Sequence, residues 1–173
     1  MTARVEWLRE GRCWVFRDDD INTDQIMPRR GFELPPAAQS ALVLESVRPG
    51  WSGSVRVGDI LIAGRRFGCG SSRPAPLLFA RIGISVVVAE SFGDIFLRNA
   101  VAYALPVLEC PGVLDCVSEA DTVRVDVASG RFDNISSGAT LQGAALPALL
   151  LETIAAGGVH AMLRRDGYMG AAM

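Results

Sequence analysis

The segment Phe67-Gly68-Cys69-Gly70-Ser71-Ser72-Arg73 carries the residue types best suited to chemistry in this chain. Its two glycines permit a tight turn, and an apolar segment from Pro74 to Ile82, which we predict to be a helix, follows directly. Free N–H groups and the positive end of a helix dipole attract anions, and the Arg73 guanidinium can bind a carboxylate through two hydrogen bonds. The pattern predicts a site for an anionic small molecule; the alternative is a glycine turn with a serine N-cap.

Two common motifs do not fit this segment. Arg73 stands where a dinucleotide-binding fingerprint has its third glycine, and a serine nucleophile elbow requires a glycine two residues after the serine. The only histidine of the chain, His160, lies near the other end, and we expect it at the surface or in an interface. A hydrolase that used Ser71 or Cys69 would have to bring this histidine to the loop.

The composition excludes several classes of chemistry. The chain has 173 residues with a net charge of −2, and all 17 basic residues are arginine. Without lysine, it cannot be a Schiff-base enzyme, a pyridoxal phosphate enzyme or a Walker-type nucleotide binder. The near-neutral charge argues against nucleic acid, and no apolar run reaches the roughly 18 residues of a membrane helix. Because residues 1–12 also have no signal-peptide core, we expect a cytoplasmic protein.

Metal binding by this chain alone is not expected. The four cysteines are far apart and form no CxxC pair, so we predict free thiols and no iron–sulfur site. The carboxylates of residues 18–24 (DDDINTD) could bind a divalent cation, but their spacing does not match a calcium loop. Arg29 and Arg30 follow directly and could equally be exposed charges on a loop.

The elements that must position these residues alternate along the chain and predict an α/β fold. We predict a mostly parallel sheet that brings its loop ends to one edge, where α/β ligand sites usually lie, with a small antiparallel meander from residue 122 onward. Residues 31–54 are rich in glycine and proline, with one short helix, and we expect them to be mobile. Ser91 can cap the helix that follows it, with Asp94 three residues on. The predicted strands are Cys13–Phe16, Asp59–Ala63, Ser85–Ala89 and Pro106–Leu108, and the last long helix is predicted over Pro147–Ala156.

A resemblance covers nearly the whole chain in order. Its motifs are residues 19–26 (DDINTDQI), 58–64 (GDILIAG), 67–73 (FGCGSSR), 91–100 (SFGDIFLRNA), 105–111 (LPVLECP) and 156–158 (AGG). In these motifs the chain resembles the small subunits of 3-isopropylmalate dehydratases, which act in leucine biosynthesis.

The resemblance implies a single aconitase-type swivelling domain of β/β/α architecture over residues 1–173. Such a domain docks on a large subunit that carries a [4Fe–4S] cluster on its own cysteines, so this chain would bind no cofactor. The cluster acts as a Lewis acid on a hydroxy-diacid substrate, while a serine removes a proton from the neighbouring carbon. The resemblance assigns that role to Ser71. It assigns substrate binding to Gly70, Ser72, Arg73, Arg29 and Arg30. Asp24, Gln25 and Cys69 would hold these substrate-binding residues in position without touching the substrate.

Two departures from the family pattern concern the substrate more than the reaction class. Pro74-Ala75-Pro76 stands where the family has Glu-His-Ala-Pro, so the Glu and His are lost, and Arg30-Gly31-Phe32 replaces an Arg-Tyr-Leu-like segment. A related alkylmalate is therefore an alternative substrate. A second alternative is a non-catalytic carboxylate-binding or regulatory module of the same fold. The isolated chain could also form a homo-oligomer.

Overall fold

The fold is built on one seven-stranded sheet, which the computed structural model describes within residues 7–170. The strand order is β4-β3-β2-β1-β5-β6-β7. The strands are β1 (Leu8–Phe16), β2 (Ile60–Ala63), β3 (Val86–Ala89), β4 (Val107–Glu109), β5 (Thr122–Asp126), β6 (Arg131–Asn134) and β7 (Thr140–Gln142). The helices are α1 (Thr23–Ile26), α2 (Pro36–Ala41), α3 (Ala75–Ile82), α4 (Asp94–Ala102), α5 (Ala148–Ala155) and α6 (Val159–Arg165), with 3₁₀ turns at Arg29–Gly31, Trp51–Ser54 and Val113–Cys116.

Strand β1 joins the two kinds of sheet. Its second half, from Cys13 to Phe16, pairs in parallel with β2, and β3 and β4 continue the parallel part. Its first half, from Leu8 to Arg12, pairs antiparallel with β5, and β6 and β7 complete the meander. The predicted α/β class and the meander are confirmed, but β1 begins five residues before the predicted Cys13.

The parallel strands are buried on both faces, as their unbroken apolar sequences predict. Alternate side chains enter two cores: Leu61 and Val87 lie in the core shared with α3 and α4, and Ile60 and Val86 lie in the core beneath the meander. These strands thereby form a fixed frame whose carboxyl edge carries the connecting loops.

Residues 31–54 are more ordered than their composition suggests. Helix α2 buries no side chain, and Phe32 is about half exposed, but Val43, Leu44 and Trp51 are fully buried. The second part of this segment therefore belongs to the core. The predicted mobility stays a prediction for the first part.

One buried carboxylate connects this segment to the start of β2. Asp59 accepts hydrogen bonds from Arg12 at 2.6 Å, from the Trp14 indole at 2.7 Å and from the Arg56 N–H at 2.9 Å. Burial raises the pKa of Asp59, but these hydrogen bonds outweigh it and hold that pKa below its usual value. Arg12 also donates to the Ser54 carbonyl and stacks on Trp14. We call this group the Asp59 cluster.

One predicted cap is wrong. The Ser91 hydroxyl accepts a hydrogen bond from the Arg66 N–H, and the N-cap of α4 is Gly93. The cap is displaced because the chain between β3 and α4 pairs with the preceding loop: the Phe67 N–H donates to the Ser91 carbonyl, and the Gly93 N–H donates to the Phe67 carbonyl. Within residues 7–170, no helix is long and apolar enough to cross a membrane.

Candidate active site

The segment Phe67–Arg73, which we call the catalytic loop after the role that the sequence analysis predicts for Ser71, follows β2 at the carboxyl edge of the parallel strands. On one side it pairs with the start of α1, where the Gly68 N–H donates to the Ile21 carbonyl at 2.7 Å and the Thr23 N–H donates to the Cys69 carbonyl at 2.9 Å. On the other side it packs on α4. Its backbone is therefore fixed from two directions.

The two glycines of the catalytic loop are required by these close approaches. Gly68 has a φ of +74°, and a β-carbon there would lie 2.3 Å from the Phe96 ring. Gly70 has a φ of +107°, and a β-carbon there would lie 3.2 Å from the Thr23 hydroxyl oxygen. Thr23 is itself buried, and its hydroxyl has no hydrogen-bond partner within the described chain. A larger residue at either glycine would force the loop away from α1 or α4.

Polar groups at the tip of the loop are left unpaired. Ser71 and Ser72 are exposed, and in residues 7–170 the N–H groups of Gly70, Ser71, Ser72 and Arg73 donate to no protein acceptor. The Ser71 hydroxyl also has no partner in that range. Several consecutive free N–H groups form a concave surface that binds anions. The anion site and the roles of the individual residues stay predictions.

The start of α3 contributes less to this surface than the sequence analysis expected. Pro74 is the N-cap, Pro76 lies in the first turn, and no side chain caps the helix. Because proline has no N–H, two of the donors that a helix start normally presents are missing. The available donors belong to the loop, and neither serine is an N-cap.

Arg73 points away from the exposed tip. It is 7% exposed, and its guanidinium donates to the Asp24 carboxylate and to the Met27 carbonyl. It also lies 5.4 Å from the centre of the Phe32 ring. Arg73 thus fixes the segment after α1, which brings the predicted supporting residue Asp24 into the site.

The remaining predicted residues occupy the neighbouring segment. Gln25 and Asn22 form a capping box at α1, because each side chain accepts a hydrogen bond from the other residue's backbone. Arg29 and Arg30 are exposed on the 3₁₀ turn after Met27, and within residues 7–170 their side chains have no ion-pair partner. The Cys69 thiol donates to the Asp20 carbonyl.

Sequence reasoning assigned no role to Asn99 or to the pair Asp20 and Arg66. Asn99 is the α4 side chain that donates to the loop, at 3.0 Å to the Arg73 carbonyl and 3.3 Å to the Ser72 hydroxyl. Asp20 and Arg66 both adopt positive φ and form an ion pair at the base of the loop. Asn99 lay within a motif already noted, but the partners of all three depend on contacts distant in sequence.

A small cleft of about 210 Å³ lies beside the catalytic loop. Within residues 7–170, no group of three or more His, Cys, Asp and Glu residues is placed to hold a metal ion. His160 is exposed on α6. The cleft is lined by Gly68, Cys69, Gly70, Gly93, Asp94 and Ile95.

Comparison with known proteins agrees with this geometry. The sequence-family model of the aconitase C-terminal domain matches residues 55–111, which include β2, the catalytic loop and β4. The chain is 40% identical over 159 residues to a 3-isopropylmalate dehydratase small subunit of Methanopyrus kandleri, covering 91% of this chain and 93% of the relative. It is also 40% identical over 148 residues to the 2,3-dimethylmalate dehydratase small subunit of Eubacterium barkeri, covering 84% and 91% of the two chains.

A solved structure shows the same fold. The crystal structure of 3-isopropylmalate dehydratase from Methanocaldococcus jannaschii superposes with a TM-score of 0.84 at 29% identity, covering 92% of this chain and 95% of that chain. The resemblance predicted from the motifs is thus confirmed. The chain belongs to the family of 3-isopropylmalate dehydratase small subunits, within the aconitase superfamily.

Proposed function

We propose that this chain is the small subunit of a hydro-lyase that reversibly dehydrates 3-isopropylmalate or a related alkylmalate. The observation that carries the proposal is the tip of the catalytic loop, where four N–H groups and the Ser71 hydroxyl are unpaired within residues 7–170 although the backbone is fixed on both sides. Two relatives named after alkylmalates support this substrate class. The comparisons do not support the alternative of a non-catalytic module.

Ser71 is the proposed base. As an alkoxide it removes a proton from the carbon next to the one that bears the hydroxyl, a double bond forms between these carbons, and the C–O bond breaks. The hydroxyl leaves as hydroxide, which together with the proton now on Ser71 makes up the water that is lost; the reverse steps rehydrate the product. A serine accepts a proton only if its alkoxide is stabilised. The free N–H groups of the loop favour that alkoxide.

The carboxylates of the substrate are assigned to the donors around Ser71. The Gly70 N–H and the Ser72 hydroxyl are exposed beside it. The guanidinium of Arg73 has five N–H donors and uses two of them on Asp24 and the Met27 carbonyl. Because the Asp24 side chain is largely exposed, a substrate carboxylate can replace it on Arg73. Arg29 and Arg30 lie two and three residues after Met27, whose carbonyl is held by Arg73. The proposal places them near the alkyl end of the substrate.

A large subunit is the proposed partner, and the [4Fe–4S] cluster belongs to it. Burial raises the pKa of Cys13 and of Cys110 to about 11, and within residues 7–170 no group of three or more His, Cys, Asp and Glu residues is placed to hold a metal ion. The cluster, held by the partner, supplies a Lewis acid for the leaving hydroxyl. A cytoplasmic location and the homo-oligomeric state of the isolated chain stay predictions.

The test is reconstitution. The chain is co-expressed with a family large subunit and purified without oxygen, and the absorbance of the double bond is followed with 3-isopropylmalate, 2,3-dimethylmalate and unsubstituted malate. We expect turnover only when both chains are present, and only with an alkyl-substituted malate. A stable complex that binds these diacids without turnover would instead support the non-catalytic alternative, and activity of the isolated chain would contradict the need for a partner.

A further inference from the structure

Asn99 sets the direction of hydrogen bonding at Ser72. Its side-chain nitrogen lies 3.0 Å from the Arg73 carbonyl and 3.3 Å from the Ser72 hydroxyl oxygen. A carbonyl can only accept, so the amide group facing it must be the NH₂, whose second hydrogen then points to Ser72. Both hydrogens of the amide are used on the catalytic loop.

This arrangement leaves the Ser72 proton free to point outward. A hydroxyl that accepts from the protein retains its own O–H as a donor. Ser72 is exposed, and the N–H groups of Gly70, Ser71, Ser72 and Arg73 have no acceptor within residues 7–170. The Ser72 hydroxyl thus adds a further donor to the free N–H groups of the tip, and such a group of donors suits a carboxylate.

Helix α4 holds Asn99 in this place. Phe96 and Ala100, on either side of Asn99 along the chain, are buried, and Phe96 packs directly beneath Gly68. The amide position is thus fixed by the same contact that fixes the loop backbone.

We propose that Asn99 is a positioning residue that makes Ser72 a hydrogen-bond donor to a substrate carboxylate. The inference rests on the proposed function and deepens it. Asn99 does not touch the reacting atoms, so its removal weakens binding of the substrate and of the transition state equally. KM therefore rises while kcat is preserved.

A double-mutant cycle in the assembled complex tests this. Asn99→Leu removes both donors, and we expect KM to rise about tenfold with kcat within about twofold of the wild type. Ser72→Ala raises KM at least as much, and the double variant is no worse than Ser72→Ala alone, because Asn99 acts through Ser72. Equal effects of Asn99→Leu with and without Ser72, or an unchanged KM, would overturn the inference.

A second variant covers the case in which Asn99→Leu does not fold. Asn99→Asp has almost the same shape, but its carboxylate only accepts, so Ser72 would donate to it rather than to substrate. The increase in KM should be larger with Ser72 present than in the Ser72→Ala background. An equal increase in both backgrounds would show a simple charge effect and reject the proposal.

A matched control and a binding assay separate the other outcomes. Gln142 on β7 also donates two hydrogen bonds through its amide, to the carbonyls of Ser129 and Gly143, so Gln142→Leu should leave KM unchanged. If the wild-type complex shows no turnover, the proposed function fails, and the same cycle measured as the Kd for 3-isopropylmalate by calorimetry decides the role of Asn99. Absence of that binding in the wild type overturns both.

Discussion

The two ends of β2 carry similar residues in opposite states. At the start of the strand, Asp59 is buried and each of its oxygens accepts hydrogen bonds from Arg12, Trp14 or a backbone N–H. Beyond its other end, the catalytic loop also contains an arginine paired with a carboxylate, but its serines are exposed and four of its N–H groups are unpaired within residues 7–170. Charge alone therefore does not distinguish the site from the scaffold.

The difference lies in hydrogen-bond saturation. A network in which every group is satisfied stabilises one packing, because removing any member leaves an unpaired buried group. Unpaired donors on a fixed backbone instead cost stability and keep their binding capacity for a ligand. Substitutions at the two ends of β2 should thus separate catalysis from stability.

Ser71→Ala should give the largest effect. Loss of the base should lower kcat of the reconstituted complex by at least about 1000-fold, within the range for a positioned proton acceptor, without changing the free energy of unfolding. Ser85 is the matched control, since its hydroxyl donates to the carbonyls of Gly58 and Asp59 at the opposite end of β2. Ser85→Ala should reduce stability and preserve kcat; substantial activity in Ser71→Ala would refute the assigned role.

Thiol alkylation should next separate the buried scaffold from the exposed loop. At pH 8 a thiol of pKa about 11 is ionised to about one part in a thousand, so burial should protect Cys13 and Cys110 while partly exposed Cys69 reacts. Mass spectrometry of iodoacetamide-treated protein, with and without urea, measures this. Rapid modification of Cys110 in the folded chain would show that the core opens.

Asp59→Asn should cost stability alone. Removal of the charge leaves Arg12 without its partner, and we expect a loss of about 2–3 kcal/mol in urea unfolding at pH 7 with kcat unchanged. Because the folded pKa of Asp59 is below its usual value, the contribution of the carboxylate is present above about pH 4 and is lost as the pH falls through that lowered folded pKa. The wild type and the variant should therefore approach each other in stability as the pH falls below the folded pKa of Asp59; a constant difference would mean that the charge is irrelevant.

Hydrogen exchange should show the smallest contrast, within the segment that connects the two ends. Amides of residues 33–41, where α2 buries no side chain, should exchange at least about tenfold faster than those of Arg48 and Trp51 in the isolated chain. Addition of the large subunit should slow the first group. Uniform strong protection without the partner would contradict the predicted mobility.

The sequence predicted what depends on neighbours along the chain. Short apolar runs predicted β2 and β3 within one residue, and the glycine and serine pattern predicted the loop between β2 and α3. Contacts between distant residues could not be read in this way, which is why Ser91 was assigned to a cap and the pairing of Arg73 with Asp24 and Met27 was not foreseen. The two prolines at the start of α3 were visible, and their missing N–H groups could have corrected the expected role of that helix.

The first half of β1 escaped prediction for the same reason. Residues 8–12 (LREGR) contain one large apolar residue, Leu8, so that only the pairing with β5 defines this half as a strand. The ion pair between Glu10 and Arg124 on these strands joins residues that are 114 positions apart. The sequence of residues 8–12 does not by itself indicate that they pair with β5.

This pairing has a consequence for biosynthesis on the ribosome. Strand β1 leaves the exit tunnel before β5, so half of its hydrogen-bonding edge stays open until β5 has been made. At about 5–20 residues per second, that delay is roughly 6–20 s, in which a strand edge is available to other nascent chains. Expression at lower translation rates would lengthen this exposure, so a chaperone that shields the amino terminus should improve the yield of the folded subunit.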